Sequence, residues 1–185
     1  MHYFLYSVVL VMLSGCVGIP EGIQPVNNFE VDRYLGKWYE IARLDHSFER
    51  GLNSVSAEYL VREDKGIKVI NRGFDSIKKE WQEAEGKAFF VDDNEMAYLK
   101  VSFFGPFYGS YIVFELDDNY QYSFITSSNK SYLWFLSRTP HIDDKLKQHF
   151  LDQVTALGFD TKNIIFVKQL DVEPNSNMRE TLSNE

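Results

Sequence analysis

The stretch LGKWYEIARL, residues 35–44, sets a glycine two positions ahead of a tryptophan and then alternates large apolar side chains with charged ones. Successive side chains of a strand point to opposite faces, so alternation of this kind marks a strand with one face turned inward. It also sets Glu40 and Ala42 on the side of Trp38. A carboxylate on an inward face needs partners, because an unpaired buried charge is costly and its pKa rises.

The pattern continues along the chain. Short aromatic and β-branched runs at 37–45, 54–62, 67–74, 81–91, 96–103, 110–116, 120–126 and 132–137 make eight predicted strands. Polar turns such as Glu63-Asp64-Lys65-Gly66, Asp92-Asp93-Asn94-Glu95 and Asp117-Asp118-Asn119 suit antiparallel neighbours. The fold class is therefore all-β, an up-and-down barrel or a sandwich. One helix follows, with Thr139 as its cap, Pro140 in its first turn, Asp143 and Asp144 near the positive end of its dipole, and Gly158 as its stop. Its apolar stripe of Ile142, Leu146, Phe150, Val154 and Leu157 covers the outer face of the last strand, where Leu133 and Phe135 are apolar. A short ninth strand is expected at 164–167, and 170–185 reads as a disordered tail.

The predicted inner faces mix small Ala57, Ala84, Gly86 and Ala88 with large rings at Tyr59, Phe90, Phe103, Tyr111 and Trp134. That mixture suits a cavity with aromatic walls, although a filled core satisfies the periodicity equally. With 185 residues, one domain is the natural division. A formal net charge of -8 and the absence of any basic run exclude a nucleic-acid partner; Lys78 and Lys79 form the only adjacent basic pair, in a hairpin loop.

The amino terminus is of another kind. Residues 3–13 are apolar apart from Ser7 and too short to span a bilayer, which takes about 20 residues, so they read as a signal-peptide core. Leu13-Ser14-Gly15-Cys16 follows directly and resembles the lipobox of bacterial lipoprotein signals. The only positive candidate ahead of it is His2, a departure from the usual basic n-region. That resemblance implies a signal peptide at 1–15 and a diacylglyceryl anchor on Cys16, the chain's one cysteine; Val17 in place of an Asp implies the outer membrane, facing the periplasm. Residues 16–28 then read as lipidated Cys and linker, with the domain at 29–169.

Gly36-Lys37-Trp38 resembles the G-x-W signature that opens the first strand of lipocalins, and Ser137-Arg138-Thr139-Pro140 places an arginine at the end of the eighth strand, as in that family. Leu116-Asp117-Asp118, with Tyr120 nearby, matches the family's turn motif only loosely. The segments GKWYEIARLD, EGKAFF, KVSFFGPFYGSY and YLWFLSRTP, in this order behind a lipobox, are similar to the bacterial lipocalins, the lipoprotein branch close to apolipoprotein D. The resemblance implies an eight-stranded antiparallel up-and-down barrel with the helix packed outside. It makes Gly36, Trp38 and Arg138 a structural closure of the barrel, with Arg138 lying over the indole. It implies a fatty acid or lysophospholipid as ligand, against walls formed by Tyr59, Leu99, Val101, Phe103, Tyr111, Val113, Tyr132 and Trp134. The mouth loops at 46–53 and 105–109 cannot be placed from sequence; the latter reads as a turn rather than a lid.

Catalysis is not expected. The only cysteine is in the lipobox, His46, His141 and His149 fit no axial haem position, no Cys or His pair has metal-ligand spacing, and no carboxylate pair stands out as a dyad. No cofactor is expected. Two other readings stay open: an envelope lipoprotein with a filled barrel that acts through surface contacts, and, more weakly, a lipid-modifying enzyme. Oligomeric state is not readable, and a homodimer stays open. Glu40 is expected inside the lower barrel, paired with a Tyr hydroxyl, Asn71 or water, limiting how deeply an acyl chain descends.

Overall fold

Residues directly opposite one another on antiparallel strands share a face, so pairing carries the alternation of one strand on to the next. The computed structural model describes residues 17–169 and realises this as a closed sheet. A helical turn α1 (Val31–Tyr34) leads into β1 (Gly36–Leu44), β2 (Leu52–Val61), β3 (Ile67–Asp75), β4 (Glu80–Phe90), β5 (Tyr98–Ser102), β6 (Gly109–Leu116), β7 (Tyr122–Thr126) and β8 (Leu133–Ser137). Each strand pairs with the next, and β1 pairs with both β8 and β2, closing an eight-stranded antiparallel barrel that leaves no free edge in the ring. The helix α2 (Asp144–Ala156) and the short β9 (Ile164–Phe166) follow.

The register defines inward rows. Trp38, Ala57, Asn71 and Ala84 lie in one, Ile67, Ala88, Val101 and Gly109 in another, and Arg43, Trp134, Ile125 and Val113 in a third. The opposite faces of β1, β7 and β8 carry Ala42, Phe124 and Phe135, which pack with Phe150 and Val154 of α2 in a second cluster outside the ring. Helix and barrel thus bury two separate cores.

Two expectations are corrected here. The helix does not begin at Thr139. The Asp143 carboxylate caps it by accepting from the Leu146 N–H at 2.8 Å, while the Thr139 hydroxyl donates to the His141 carbonyl. Residues 17–28 are also not a free linker. Ile23 is buried in the outer cluster, the Val26 N–H donates to the Val113 carbonyl, and the Val26 carbonyl accepts from Ala97. Ala97 keeps its carbonyl on the Val113 N–H while its own N–H goes to Val26, and β5 begins at Tyr98. Residues 1–16 and 170–185, with the signal peptide, Cys16 and the tail, lie outside the described residues.

The carboxyl-terminal segment laces the seam between β1 and β2. β1 pairs with β2 over its first half and with β9 over its second. Beyond β9, the Lys168 carbonyl accepts from Ser54, and the Gln169 amide donates to the carbonyls of Glu40 and Val55.

One end of the barrel is shut by Trp38, which is fully buried and donates its indole N–H to the Tyr34 carbonyl at 2.7 Å. The Arg138 guanidinium lies 3.9 Å from the indole centroid and donates to the carbonyls of Arg33, Lys37 and Tyr120. Gly36 has φ +89, which a Cβ would strain. Replacing Arg138 by Met keeps bulk over the ring and removes three charged hydrogen bonds. Urea unfolding of Arg138→Met should show a loss of roughly 2–3 kcal/mol; a change under about 0.5 kcal/mol would mean that the arginine does not hold the closure.

Candidate functional site

β1 does not keep its alternation. Its pairing with β8 shifts between Glu40, opposite Leu136, and Ala42, opposite Phe135, so that Ile41 is an extra residue. A bulge changes which face the following residues present. Glu40 therefore shares the inner face with Trp38 while Ala42 does not. Ala42 packs outside with Ile41 and Leu44, and Arg43 turns inward beside Trp134. The expectation for Ala42 is overturned by the single inserted residue.

Glu40 and Arg43 meet inside. Glu40 is 2% exposed, as is Arg43, and the Arg43 guanidinium donates to Glu40 Oε1 at 2.6 Å. The partner of Glu40 is thus arginine, not a tyrosine or Asn71. A second nitrogen of Arg43 donates to the carbonyls of Glu49 and Leu52, at 2.9 and 3.1 Å, tying residues 45–51 to the barrel wall. Glu49 is itself buried and accepts from the Trp134 indole N–H at 3.2 Å. Two buried carboxyls therefore lie beside one guanidinium, which bonds the Glu40 carboxylate and only the backbone carbonyl of Glu49. Burial pushes the Glu40 carboxyl well above the usual range, with the Glu49 charge adding to it and Arg43 opposing; burial pushes Glu49 up as well. His46 completes the group, buried and stacked on Phe48 at 4.1 Å. Burial, then the Arg43 charge, holds its imidazole down at about 4, so it is neutral near pH 7.

Below this group a phenol chain crosses the barrel. The Tyr34 and Tyr111 hydroxyls are 2.7 Å apart, those of Tyr111 and Tyr59 2.8 Å, and Tyr34 also meets Ser123. Burial raises all three phenols, Tyr34 to about 12, so they are protonated donors and acceptors. Together with Trp38 they make a floor.

The predicted wall residues divide accordingly. Leu99 and Val113 are sealed in the inner core, and Tyr59 belongs to the floor. Val101, Phe103, Tyr111 and Trp134 point inward yet are only partly buried. Tyr132 stands just ahead of β8 at the mouth, its ring 5.9 Å from those of both His46 and Trp134. Ala84, in the inward row of Trp38, Ala57 and Asn71, is exposed. Glu83 and Glu85 beside it are exposed as well, and β4 pairs with β5 only from Lys87 to Phe90, so Ala84 stands on the part of β4 that projects beyond β5 at the mouth. The wall of β2, β3 and β4 is kept low by Ala57, Ala84, Gly86 and Ala88, and the Phe103 ring fills the position of a Cβ on Gly86, 2.8 Å from where it would stand. Residues 103–108 form a turn between β5 and β6. Among the described residues no group of His, Cys, Asp and Glu is placed to hold a metal ion.

Sequence reasoning missed Arg43, Glu49 and Tyr34. The available signal was Arg43 three residues after Glu40 in one strand, which places like parity only when a residue is inserted between them.

This closed barrel, with its tryptophan floor and external helix, defines a lipocalin. The chain belongs to that family: residues 29–169 match the lipocalin-like domain. It is an outer membrane lipoprotein of the bacterial lipocalin branch. It is 58% identical over 160 residues to the outer membrane lipoprotein Blc of Vibrio cholerae, covering 86% of this chain and 94% of the relative. With the Blc of Escherichia coli K12 it shares 51% over 150 residues, 81% and 85% of the two chains. Mouse apolipoprotein D is 31% identical over 150 residues, 77% and 78% of the two. Insecticyanin of the tobacco hornworm Manduca sexta shares the fold, with a TM-score of 0.66 at 19% identity over 84% of this chain and 88% of its own.

Removing Arg43 strands Glu40 and unties the mouth loop, so Arg43→Met should lose roughly 3 kcal/mol in urea unfolding. The pH dependence follows from Glu40. Its folded value lies above its unfolded one, so the folded protein binds the extra proton. This contribution is fully present below the ordinary carboxylate range and is lost as pH rises through it toward the raised value. Glu40→Gln should flatten that decline when stability is measured from about pH 4 to pH 8; an unchanged slope would show that Glu40 does not bind the proton.

Proposed function

We propose that this lipocalin binds fatty acids or lysophospholipids inside the barrel and stores or carries them at the cell envelope, anchored to the outer membrane by a diacylglyceryl group on Cys16. The observation that supports the reading is the inward set of Val101, Phe103 and Trp134, apolar rings and branches left only partly buried above the tyrosine floor. An acyl chain gains about 0.8 kcal/mol for each methylene taken from water, and aromatic and small apolar walls accept it without directional demands. Glu40, Arg43 and Glu49 occupy the β1 side, so the chain runs along the opposite wall over Ala84 and Ala88 and stops at the tyrosine floor. The head group stays toward the mouth, near Trp134 and Tyr132. These roles need no bond making or breaking, and the chain acts as a binding protein, not an enzyme.

The test is to titrate the chain with a fluorescent fatty acid and to identify co-purifying lipid by mass spectrometry after extraction. Ala84→Trp fills the space without removing a contact. It should weaken binding at least about ten-fold, or 1.4 kcal/mol, with little change in stability. If neither the parent nor the variant binds an acyl probe, the filled-barrel reading takes its place. The anchor is read separately, from the mass of the amino-terminal peptide, and Cys16→Ser should release the protein from the membrane fraction.

A further inference from the structure

The barrel is polar along its axis. The loops at 45–51, 76–79, 103–108 and 127–132 stand at the open end, opposite Trp38. Three of them present large apolar side chains to water: Phe48 is 58% exposed, Ile77 88%, Phe104 80% and Phe107 63%. Exposure of this extent on separate loop tips around one rim is not scattered surface hydrophobicity. Lys78, Lys79 and Lys130 stand among them. Asp45 at this rim is paired to Arg50, Glu49 is buried, and Lys78 keeps only long contacts to Asp75 and Glu80, at 3.8 and 3.9 Å. The closed end is the reverse. Its loops carry Glu63, Asp64, Asp92, Asp93, Glu95, Asp117 and Asp118 against Arg62 and Lys65, and its exposed apolar side chains are Leu60 and Val61, at the end of one strand.

The path of the amino-terminal segment joins this rim to the anchor. The Gly18 N–H donates to the Ser110 hydroxyl at 3.0 Å, and that hydroxyl donates back to the Gly18 carbonyl at 2.9 Å. Ser110 is the second residue of β6, next to the loop that holds Phe104 and Phe107. From Gly18 the chain runs down the barrel, past Val26 at Val113, to Phe29 at Glu95 near the closed end. It therefore enters at the mouth. The two peptide steps back to Cys16 span at most about 7 Å of chain.

We propose that the open rim docks on the phospholipid bilayer, with Phe48, Ile77, Phe104 and Phe107 seated in the headgroup region and Lys78, Lys79 and Lys130 against anionic lipid, so that the mouth opens onto the membrane. The orientation rests on the reading of Cys16 as the anchored residue. A bilayer fits the rim because the apolar tips are spread over separate loops and interleaved with lysines, the arrangement of an interfacial surface. Each contact is weak alone, but the tether holds the rim at high effective concentration, and the acidic closed end is turned away from the negative surface. Lipid then passes between bilayer and barrel without crossing bulk water.

The test uses the full lipidated chain in vesicles of phosphatidylethanolamine and phosphatidylglycerol. Lipidation consumes the Cys16 thiol, so Ile77→Cys, Phe107→Cys, Glu63→Cys and Asp93→Cys each add a unique label site. An environment-sensitive dye at the first two should shift to the blue and be quenched several-fold more by brominated acyl chains than at the last two. Rim labels that stay in water, equal quenching at both ends, or protection of the rim in whole envelopes but not in lipid vesicles, where a protein partner would be covering it, each overturn the proposal. The mass of the amino-terminal peptide reports the anchor separately. A lipidated chain with rim labels in water fails the docking and keeps the anchor. Quenched rim labels on a Cys16→Ser chain keep the docking without the anchor.

Discussion

The ion pair between Glu40 and Arg43 gives the barrel interior its two unlike sides. It forms because β1 gains one residue at Ile41, which brings two side chains three apart in sequence to the same inner face. A buried carboxylate and guanidinium without other partners would gain little over apolar residues of equal volume. Here Arg43 also holds the carbonyls of Glu49 and Leu52, and Glu49 holds the Trp134 indole. The pair thus fixes the first mouth loop and one wall ring as well as itself. The small residues Ala57, Gly86 and Ala88 stand on β2 and β4, with the Phe103 ring packed over Gly86.

The closed end is built by different means. Trp38, Tyr34, Tyr59 and Tyr111 fill the lower barrel with rings whose polar atoms satisfy one another, and Arg138 ties three backbone carbonyls over the indole. The Trp38 indole N–H and the hydroxyls of Tyr34, Tyr59 and Tyr111 each have a partner, which fixes the floor. Near neutral pH these phenols stay protonated, because burial raises each of them.

Much of this was legible in the sequence. Period-two alternation in eight runs narrowed the fold to a barrel or a sandwich, and the resemblance of GKWYEIARLD, EGKAFF, KVSFFGPFYGSY and YLWFLSRTP to bacterial lipocalins implied the closed barrel that the sheet order shows. The stripe ending at Val154 and Leu157 located the helix, but its start was misread. Asp143 and Thr139 are both good caps, and only the path of the chain from β8 to the outer face chooses between them. The site was less legible because it depends on an inserted residue and on contacts between distant elements. The only local mark of the bulge is an arginine three residues after a glutamate in one strand, and strict alternation gives Ala42 the inner face and Arg43 the outer. The pairing of Val26 with β6 runs through backbone groups, which carry no side-chain signal, and Gly18 is held by one serine hydroxyl, Ser110, among many in the chain.

The central claim is that the space beside the Glu40 and Arg43 wall receives an acyl chain. The measurement that tests it most directly is an isotope-edited NMR experiment with 13C-labelled palmitate, observing contacts between its methylenes and protein methyl groups. The account predicts contacts to Ala84, Ala88 and Val101 and none to Val154 of α2. Contacts confined to the helix side, or no bound palmitate at all, would contradict it.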